Sequence, residues 1–174
     1  MKSDIFINTI GCHAAGEVGE VIISGVPTPS GQTIWEQSRF LEKDGALRNL
    51  LLCEPRGGLH KHVNLLLPPK NQKADFGWII MEPQFNPPMS GSNAICVATV
   101  ILETGMFPMK EPFSDIILEA PGGLIKTRAF CKDGKVCKVE VENIPSFVRF
   151  KDIPLEISGH GTFKVNVAFG GDSF

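Results

Sequence analysis

Hydrophobic and polar residues alternate along several short stretches of the chain, a spacing that places side chains on opposite faces of a β-strand. Other stretches are short apolar runs, such as Val21, Ile22 and Ile23 at the centre of residues 18–26, and Gly, Pro, Asn and Asp residues separate the stretches from one another. The strands predicted in this way are residues 5–10, 18–26, 63–67, 76–81, 115–119, 124–131, 135–141 and 162–169.

Two regions have helical rather than strand-like spacing. Residues 33–52 place apolar side chains three and four positions apart, with an interruption at Gly45, which predicts two helical pieces. The run from Ala94 to Leu102 is apolar except for Thr99. A helix of this kind has no polar face, so it has to be covered on every side.

Together these elements predict an α+β domain. Many short strands at hairpin spacing surround one wholly apolar helix, and such a helix is buried most simply inside a curved sheet. We therefore expect a curved, mostly antiparallel sheet that wraps around a central apolar helix.

The segment that precedes the apolar helix is the strongest candidate for chemistry. Ser90, Ser92 and Asn93 are all residue types that cap helices, and Gly91 allows the chain to turn. The free N–H groups and the dipole at a helix N-terminus also favour an anion such as a carboxylate. Two interpretations remain open: the segment binds a substrate, or the serines only cap the helix and Gly91 only permits the turn.

Composition and charge exclude several function classes. The 174 residues carry a net charge of −2 and no basic run, which gives no electrostatic case for nucleic acid. The longest apolar run has nine residues, whereas a membrane-spanning helix needs roughly 20. The first five residues contain no signal-peptide hydrophobic region. We therefore expect a cytoplasmic protein with no nucleic-acid or membrane partner.

Cysteine and histidine spacing does not predict a metal site. The five cysteines are scattered, form no C-x-x-C pair, and are expected to be reduced thiols. His60 and His62 lie on one face of an extended segment, but a zinc site needs three or four ligands and no third is suggested nearby. His13 lies in a glycine-rich segment, where it either borders the active site or is a hydrogen-bonded structural residue.

Four segments, in order along the chain, resemble motifs of the proline racemase family, which includes hydroxyproline 2-epimerases and trans-3-hydroxy-L-proline dehydratases. The first is similar to a D-x-H-T-x-G-E segment, the second to E-P-R-G, the third to M-C-G-H before a helix, and the last to F-G-G. In this chain they are residues 12–17 (CHAAGE), 54–57 (EPRG), 89–93 (MSGSN) and 169–171 (FGG).

The resemblance implies a diaminopimelate epimerase-like fold, in which two similar domains face each other across a cleft and use no cofactor. It also implies about twice this length. Residues 1–160 are then expected to form the N-terminal domain, and residues 161–174 to begin a second domain whose remainder is absent. An unpaired interdomain face would favour a homodimer.

The resemblance also implies the chemistry. Ser90 stands where racemases have one of two cysteines, and Ser92 stands where the family usually has His. A serine hydroxyl is a far weaker acid than a thiol, whose reference pKa is about 8.5, so proton transfer in both directions becomes harder. We therefore expect Ser90 to be the catalytic residue of a trans-3-hydroxy-L-proline dehydratase, with Gly91, Ser92, Asn93 and His13 binding the substrate.

Three alternatives stay open. The intact protein could be a 4-hydroxyproline 2-epimerase or a proline racemase, with proline or hydroxyproline as its small-molecule substrate in either case. The 174-residue chain could also be a truncated, catalytically inactive domain, because a single domain cannot close the cleft around a substrate.

Overall fold

The computed structural model describes residues 5–174. Residues 1–4, which belong to the stretch expected to lack a signal-peptide hydrophobic region, lie outside the described part. Ten strands and three helices are present in residues 5–174. The strands are β1 (Asn8–Ile10), β2 (His13–Ala14), β3 (Glu17–Ser24), β4 (Lys61–Leu67), β5 (Phe76–Met81), β6 (Phe113–Ala120), β7 (Gly123–Lys132), β8 (Lys135–Glu142), β9 (Phe147–Ile157) and β10 (Gly161–Phe169). The helices are α1 (Ile34–Asp44), α2 (Ala46–Leu52) and α3 (Gly91–Glu103).

The main sheet has the strand order β1-β3-β4-β5-β6-β7-β8, with β2 paired to β3. Most neighbours are antiparallel, but β3 pairs with β4 and β5 pairs with β6 in parallel. The sheet is therefore mixed: it is mostly antiparallel, as predicted, but it contains two parallel pairs that were not predicted. Helices α1 and α2 lie in the crossover between β3 and β4, and α3 lies in the crossover between β5 and β6, as parallel pairs require.

Both faces of the central strands are buried. Val21, Trp78 and Ile80 belong to a cluster that includes α3, whereas Ile22 and Ile79 belong to a second cluster that includes residues of α1 and α2. Alternate side chains of β3 and β5 thus enter different cores. This explains why β5 is apolar throughout instead of alternating with polar residues.

The apolar helix α3 is buried as predicted. Ala94, Val97 and Ile101 have no exposed surface. The helix contacts β2, β3 and β4 near one end of the strand order and β7 and β8 at the other. Strands that are far apart in the order can contact one helix only if the sheet curves around it. The central position of the helix is therefore confirmed.

Gly45 divides the first helical region, also as predicted. Its φ of 67° is left-handed, and its N–H donates to the carbonyl of Leu41. Thr33 caps the start of α1 by accepting a hydrogen bond from the Glu36 N–H at 3.1 Å. The chain then turns directly into α2, which begins at Ala46.

The C-terminal strands differ from the prediction. The pattern predicted a strand over 162–169 inside a sheet, but β10 pairs antiparallel with β9 in a separate two-stranded sheet. Strand β9 was not predicted, because Pro154 interrupts its pattern and proline is rare inside strands. The predicted domain boundary at residue 160 lies in the turn between these strands, and the division into two domains remains a prediction.

Candidate active site

Ser90 occupies the N-cap position of α3, but within residues 5–174 its side chain makes no capping hydrogen bond. Its backbone is extended, with φ −144° and ψ 127°. The preceding segment is held in place because the Pro88 carbonyl accepts a hydrogen bond of 2.8 Å from the N–H of Gly122. The Ser90 side chain therefore does not cap α3 in the described part of the chain, and its hydroxyl is available for other partners.

Asn93 orients the Ser90 hydroxyl. This side chain is 1 % exposed, and its amide Nδ2 donates to Ser90 Oγ at 2.9 Å. Its Oδ1 accepts from Asn64 Nδ2 at 2.7 Å, and Asn64 Nδ2 also lies 3.4 Å from the carbonyl oxygen of Glu20. Because a backbone carbonyl can only accept, the orientation of both amides follows. Ser90 Oγ therefore accepts a hydrogen bond from the amide N–H of Asn93.

Gly19 leaves the space in which Asn93 sits. A Cβ atom at position 19 would lie 2.8 Å from Asn93 Oδ1 and 3.1 Å from Cys96 Sγ. These contacts are shorter than side chains tolerate, so any larger residue would move Asn93 or the start of α3. Strand β3 and the helix are therefore matched in shape at the site.

A second chain of hydrogen bonds joins the two serines to a carboxylate. Ser92 Oγ donates to Glu17 Oε1 at 2.7 Å, although these residues are 75 positions apart in the sequence. Ser90 Oγ and Ser92 Oγ are 3.2 Å apart. Glu17 is exposed, whereas both serines are half-buried. The carboxylate thus lies at the solvent side of the site and the helix lies at its inner side.

His62 and Glu82 complete this group. His62 Nδ1 lies 3.0 Å from Asn93 Nδ2, 3.2 Å from Glu17 Oε1 and 4.0 Å from Glu82 Oε1. Asn93 Nδ2 can only donate, whereas the carboxylates of Glu17 and Glu82 can only accept, so His62 Nδ1 pairs with Asn93 when it carries no proton and with Glu17 when it carries one. Burial raises the pKa of the Glu82 carboxyl, the charge of His62 opposes this, and the nearby Asp172 and Glu17 raise it further.

The segment after β10 returns to the same region. Gly171 is buried beside Met89, and the carbonyl of Gly170 accepts from Asn143 Nδ2 at 3.0 Å. Asp172 is close enough to Glu82 to affect its pKa. The F-G-G segment that supported the family resemblance therefore borders the serine segment.

The other predicted site residues lie as follows. His13 is exposed in β2, and its Nδ1 accepts from the N–H of Gly16 at 3.2 Å. This contact fits the structural interpretation, and substrate binding by His13 stays a prediction. His60 is exposed and lies against Gly58, whereas His62 lies at the serines. Among residues 5–174, no three His, Cys, Asp or Glu side chains are placed to hold a metal ion.

The backbone N–H groups of Gly91 and Ser92 begin α3 beside these side chains. Gly91 is exposed, and a Cβ at this position would meet no atom within 4 Å, so space is open at the helix start. This geometry fits the predicted carboxylate site, which stays a prediction. No helix in the described part of the chain is long and apolar enough to span a membrane.

The thiols of Cys12 and Cys96 are hydrogen-bonded to each other, and both residues contact Gly19, the residue that borders Asn93. A hydrogen bond from the Cys96 thiol lowers the pKa of the partly buried Cys12 to about 7, against the opposing effect of burial. The same hydrogen bond, together with burial, raises the pKa of Cys96. Cys96 lies within α3 and has no exposed surface.

We expect Cys12 to react with iodoacetamide with a pH midpoint near 7, because the thiolate is the nucleophile. In Cys96→Ala the stabilising hydrogen bond is lost, the pKa of Cys12 rises, and alkylation at pH 7.5 should slow by roughly tenfold. Peptide-resolved mass spectrometry measures both rates, with the exposed Cys53 as an internal control. An unchanged midpoint for Cys12 in the variant would contradict this pairing.

Several residues of this site were missed by the sequence patterns. Asn64 and Glu82 lie in or beside strands and carry no motif of their own, and His62 was considered only as a metal ligand. Glu17 belonged to a quoted motif but was given no role. A polar residue inside an apolar strand, such as Asn64 in β4, was the available signal.

Known proteins resemble this chain in both sequence and structure. The family model described as proline racemase matches residues 9–174. A hydroxyproline epimerase from Agrobacterium vitis, solved with bound trans-4-hydroxy-L-proline, is 39% identical with a TM-score of 0.93, over 99% of this chain and 52% of that one. A probable proline racemase from Agrobacterium radiobacter K84, with bound carbonate, is 40% identical with a TM-score of 0.91, over 97% and 50%.

A methylitaconate-delta-isomerase shares the fold at 15% identity, with a TM-score of 0.53 over 95% of this chain and 42% of that one. At this level of identity the likeness shows a common fold only. This chain spans about half the length of each of the two Agrobacterium proteins. With a family model matched over almost its whole length, the chain belongs to the proline racemase family.

Proposed function

We propose that this chain supplies one half of an active site that transfers the α-proton of a proline-type amino acid, with epimerisation of hydroxyproline as the first candidate reaction. The observation that carries the proposal is Ser90. It stands at the start of a buried helix, with its hydroxyl oriented by Asn93 and not used as a cap. The motif resemblance implies that this is the position of one of the two proton-transferring cysteines of the racemases.

The proposed mechanism follows from this placement. The substrate carboxylate binds the N–H groups of Gly91 and Ser92, where the helix dipole stabilises the negative charge that grows as the α-proton leaves. Ser90 Oγ takes the proton from one face of Cα or returns it to that face. A second group, from a facing domain, acts on the opposite face, and no metal or organic cofactor is needed.

The relatives support epimerisation as the first candidate. One is a hydroxyproline epimerase with trans-4-hydroxy-L-proline bound, and the other is a probable proline racemase. At about 40% identity over this domain, the fold around the substrate is shared, but the reaction of this chain's intact gene product is a proposal. The substrate class is proline or hydroxyproline.

Dehydration of trans-3-hydroxy-L-proline is the second candidate, and Ser90 itself favours it. A serine hydroxyl is a poorer acid–base group than the thiol used for transfer in both directions. In one-sided chemistry the base of the facing domain takes the α-proton, and Ser90 assists the departure of the hydroxyl group from the neighbouring ring carbon. The product tautomerises to pyrroline-2-carboxylate.

One experiment separates these candidates. The intact gene product is incubated in D₂O with trans-4-hydroxy-L-proline, trans-3-hydroxy-L-proline or L-proline, and products are followed by ¹H NMR and chiral chromatography. We expect loss of the α-proton signal with formation of the 2-epimer of 4-hydroxyproline. Pyrroline-2-carboxylate from the 3-hydroxy substrate would establish the second candidate, and the absence of exchange with all three would refute the proposal.

The facing domain is also a proposal. Strands β9 and β10 expose a group of large apolar side chains, which are Phe147, Val148, Phe150, Leu155, Ile157 and Phe163. Exposed apolar patches of this kind mark interaction surfaces. We propose that a second domain of the family covers them, or a second copy of this chain in a homodimer. Sedimentation equilibrium of the isolated chain should show self-association, and a strict monomer would count against this surface.

A further inference from the structure

The direction of each hydroxyl hydrogen in the site can be assigned. Ser92 has a single O–H, which it donates to Glu17 Oε1 at 2.7 Å. Ser92 therefore has no hydrogen left for Ser90, although its oxygen can still accept. Ser90 Oγ already accepts an N–H from Asn93 at 2.9 Å, so its own O–H is directed at Ser92 Oγ, 3.2 Å away.

The result is a one-way chain of donors. It runs from Ser90 to Ser92 and ends on the carboxylate of Glu17. A carboxylate accepts a proton far more readily than a serine oxygen does, and hydrogen bonds in series polarise one another. The second neighbour of Glu17 is His62, whose Nδ1 lies 3.2 Å from the same oxygen.

We infer that Ser92 and Glu17 form a proton relay that allows Ser90 to act as a base. When the Cα–H bond of the substrate breaks, its proton passes to Ser90 Oγ and its electron pair stays on the substrate as an enediolate. The proton of Ser90 moves to Ser92, and that of Ser92 moves to Glu17, which becomes neutral. Proton return follows the same path in reverse, so atoms and charge balance.

This inference rests on the proposed function for its substrate, and it gives Ser90 a way to act as a base despite its weak acidity. The weak acidity of a serine hydroxyl is a handicap only if the hydroxyl acts alone. With Glu17 as the final acceptor, Ser90 does not have to exist as a free alkoxide at any step. Ser92 and Glu17 are positioning residues, since they act on the substrate only through Ser90.

A test that needs no substrate uses phenylmethylsulfonyl fluoride on the 174-residue chain. Ser90 Oγ attacks sulfur, the S–F bond breaks with loss of fluoride, and the hydroxyl proton leaves through Ser92 to Glu17. Mass spectrometry of the peptide that carries Ser90 measures the rate. We expect Glu17→Gln and Ser92→Ala to slow labelling by about 100-fold, the lower end of general-base effects.

Two matched variants separate the relay from general damage. Ser92→Thr keeps a hydroxyl and should restore labelling. Glu20→Gln alters a carboxylate of the same strand that binds Lys61 Nζ at 2.7 Å and not the serines, so it should label at the parental rate. Equal labelling of the parent and Glu17→Gln, or no labelling of Ser90 in the parent, would overturn the relay.

A second readout uses α-proton exchange by the intact gene product. Ser90→Cys introduces a thiol that ionises near neutral pH and does not need the relay. Glu17→Gln should therefore cost about 100-fold when residue 90 is serine and less than about tenfold when it is cysteine. A merely structural role would give equal losses in both backgrounds and would overturn the relay. If neither background exchanges any substrate while the labelling pattern holds, the proposed function fails and the relay stands.

Discussion

Replacing Ser90 by alanine is expected to lower α-proton exchange of hydroxyproline by about 1,000-fold, within the range for removing a general base or acid. Ser90 receives an N–H from Asn93 and directs its own O–H to Ser92, and alanine removes both functions without adding bulk. The measurement is the initial rate of deuterium incorporation by the intact gene product in D₂O. Ser158→Ala, which changes an exposed serine between β9 and β10, is the control.

The Ser90→Cys variant adds a second measurement, the ratio of epimerisation to dehydration. If Ser90 limits transfer in both directions, the thiol should raise the ratio of epimerisation to dehydration, because its acid and base forms are both accessible near neutral pH. The ratio is read from the same NMR spectra. An alanine variant that exchanges the α-proton as fast as the parent would exclude Ser90 from the chemistry.

Replacing Asn93 by alanine is expected to lower the free energy of unfolding by about 3 kcal/mol. The substitution removes the 2.7 Å acceptor of the fully buried Asn64 Nδ2, which keeps only the longer contact of 3.4 Å to the Glu20 carbonyl, and it opens a small cavity under the serines. Urea denaturation measures the change, with the buried Trp78 as the fluorescent reporter.

Asn143→Ala is the matched control for this substitution. Its amide is exposed and donates to the carbonyl of Gly170 at 3.0 Å, so its loss should cost about 1 kcal/mol or less. Gly19→Ala should act in the same direction as Asn93→Ala, because its new Cβ would displace Asn93 Oδ1. Equal stability of the parent and Asn93→Ala would show that these hydrogen bonds do not hold the helix start in place.

The elements that the sequence predicted well are those with strong local patterns. Helix α3 was predicted because its apolar residues leave no polar face, and the break at Gly45 was predicted because glycine permits a left-handed cap. The two strands β7 and β8 were predicted at 124–131 and 135–141 because each has a local alternating pattern, and the structure pairs them as a hairpin across Asp133 and Gly134. Each of these signals lies within a few neighbouring residues.

The errors arise where the deciding interaction is distant in sequence. Strand β9 contains Pro154 and is mostly exposed, so it is stabilised by pairing with β10 and not by an apolar pattern. The parallel pairing of β3 with β4 could not be predicted from either strand, because register and direction depend on the crossover helices between them. Both the parallel pairing of β3 with β4 and the two-stranded sheet of β9 and β10 therefore became apparent only from the structure.

The sequence by itself determined the family, the buried helix and the serine segment at its start, because local spacing and short motifs depend only on residues that are close together in the sequence. Only the tertiary structure decided what surrounds Ser90. Glu17, His62 and Asn64 come from strands 75, 31 and 29 positions away from the Ser92 or Asn93 atoms they contact. Hydrogen-bond direction depends on such distances and angles, and these exist only once β3, β4 and α3 have packed together.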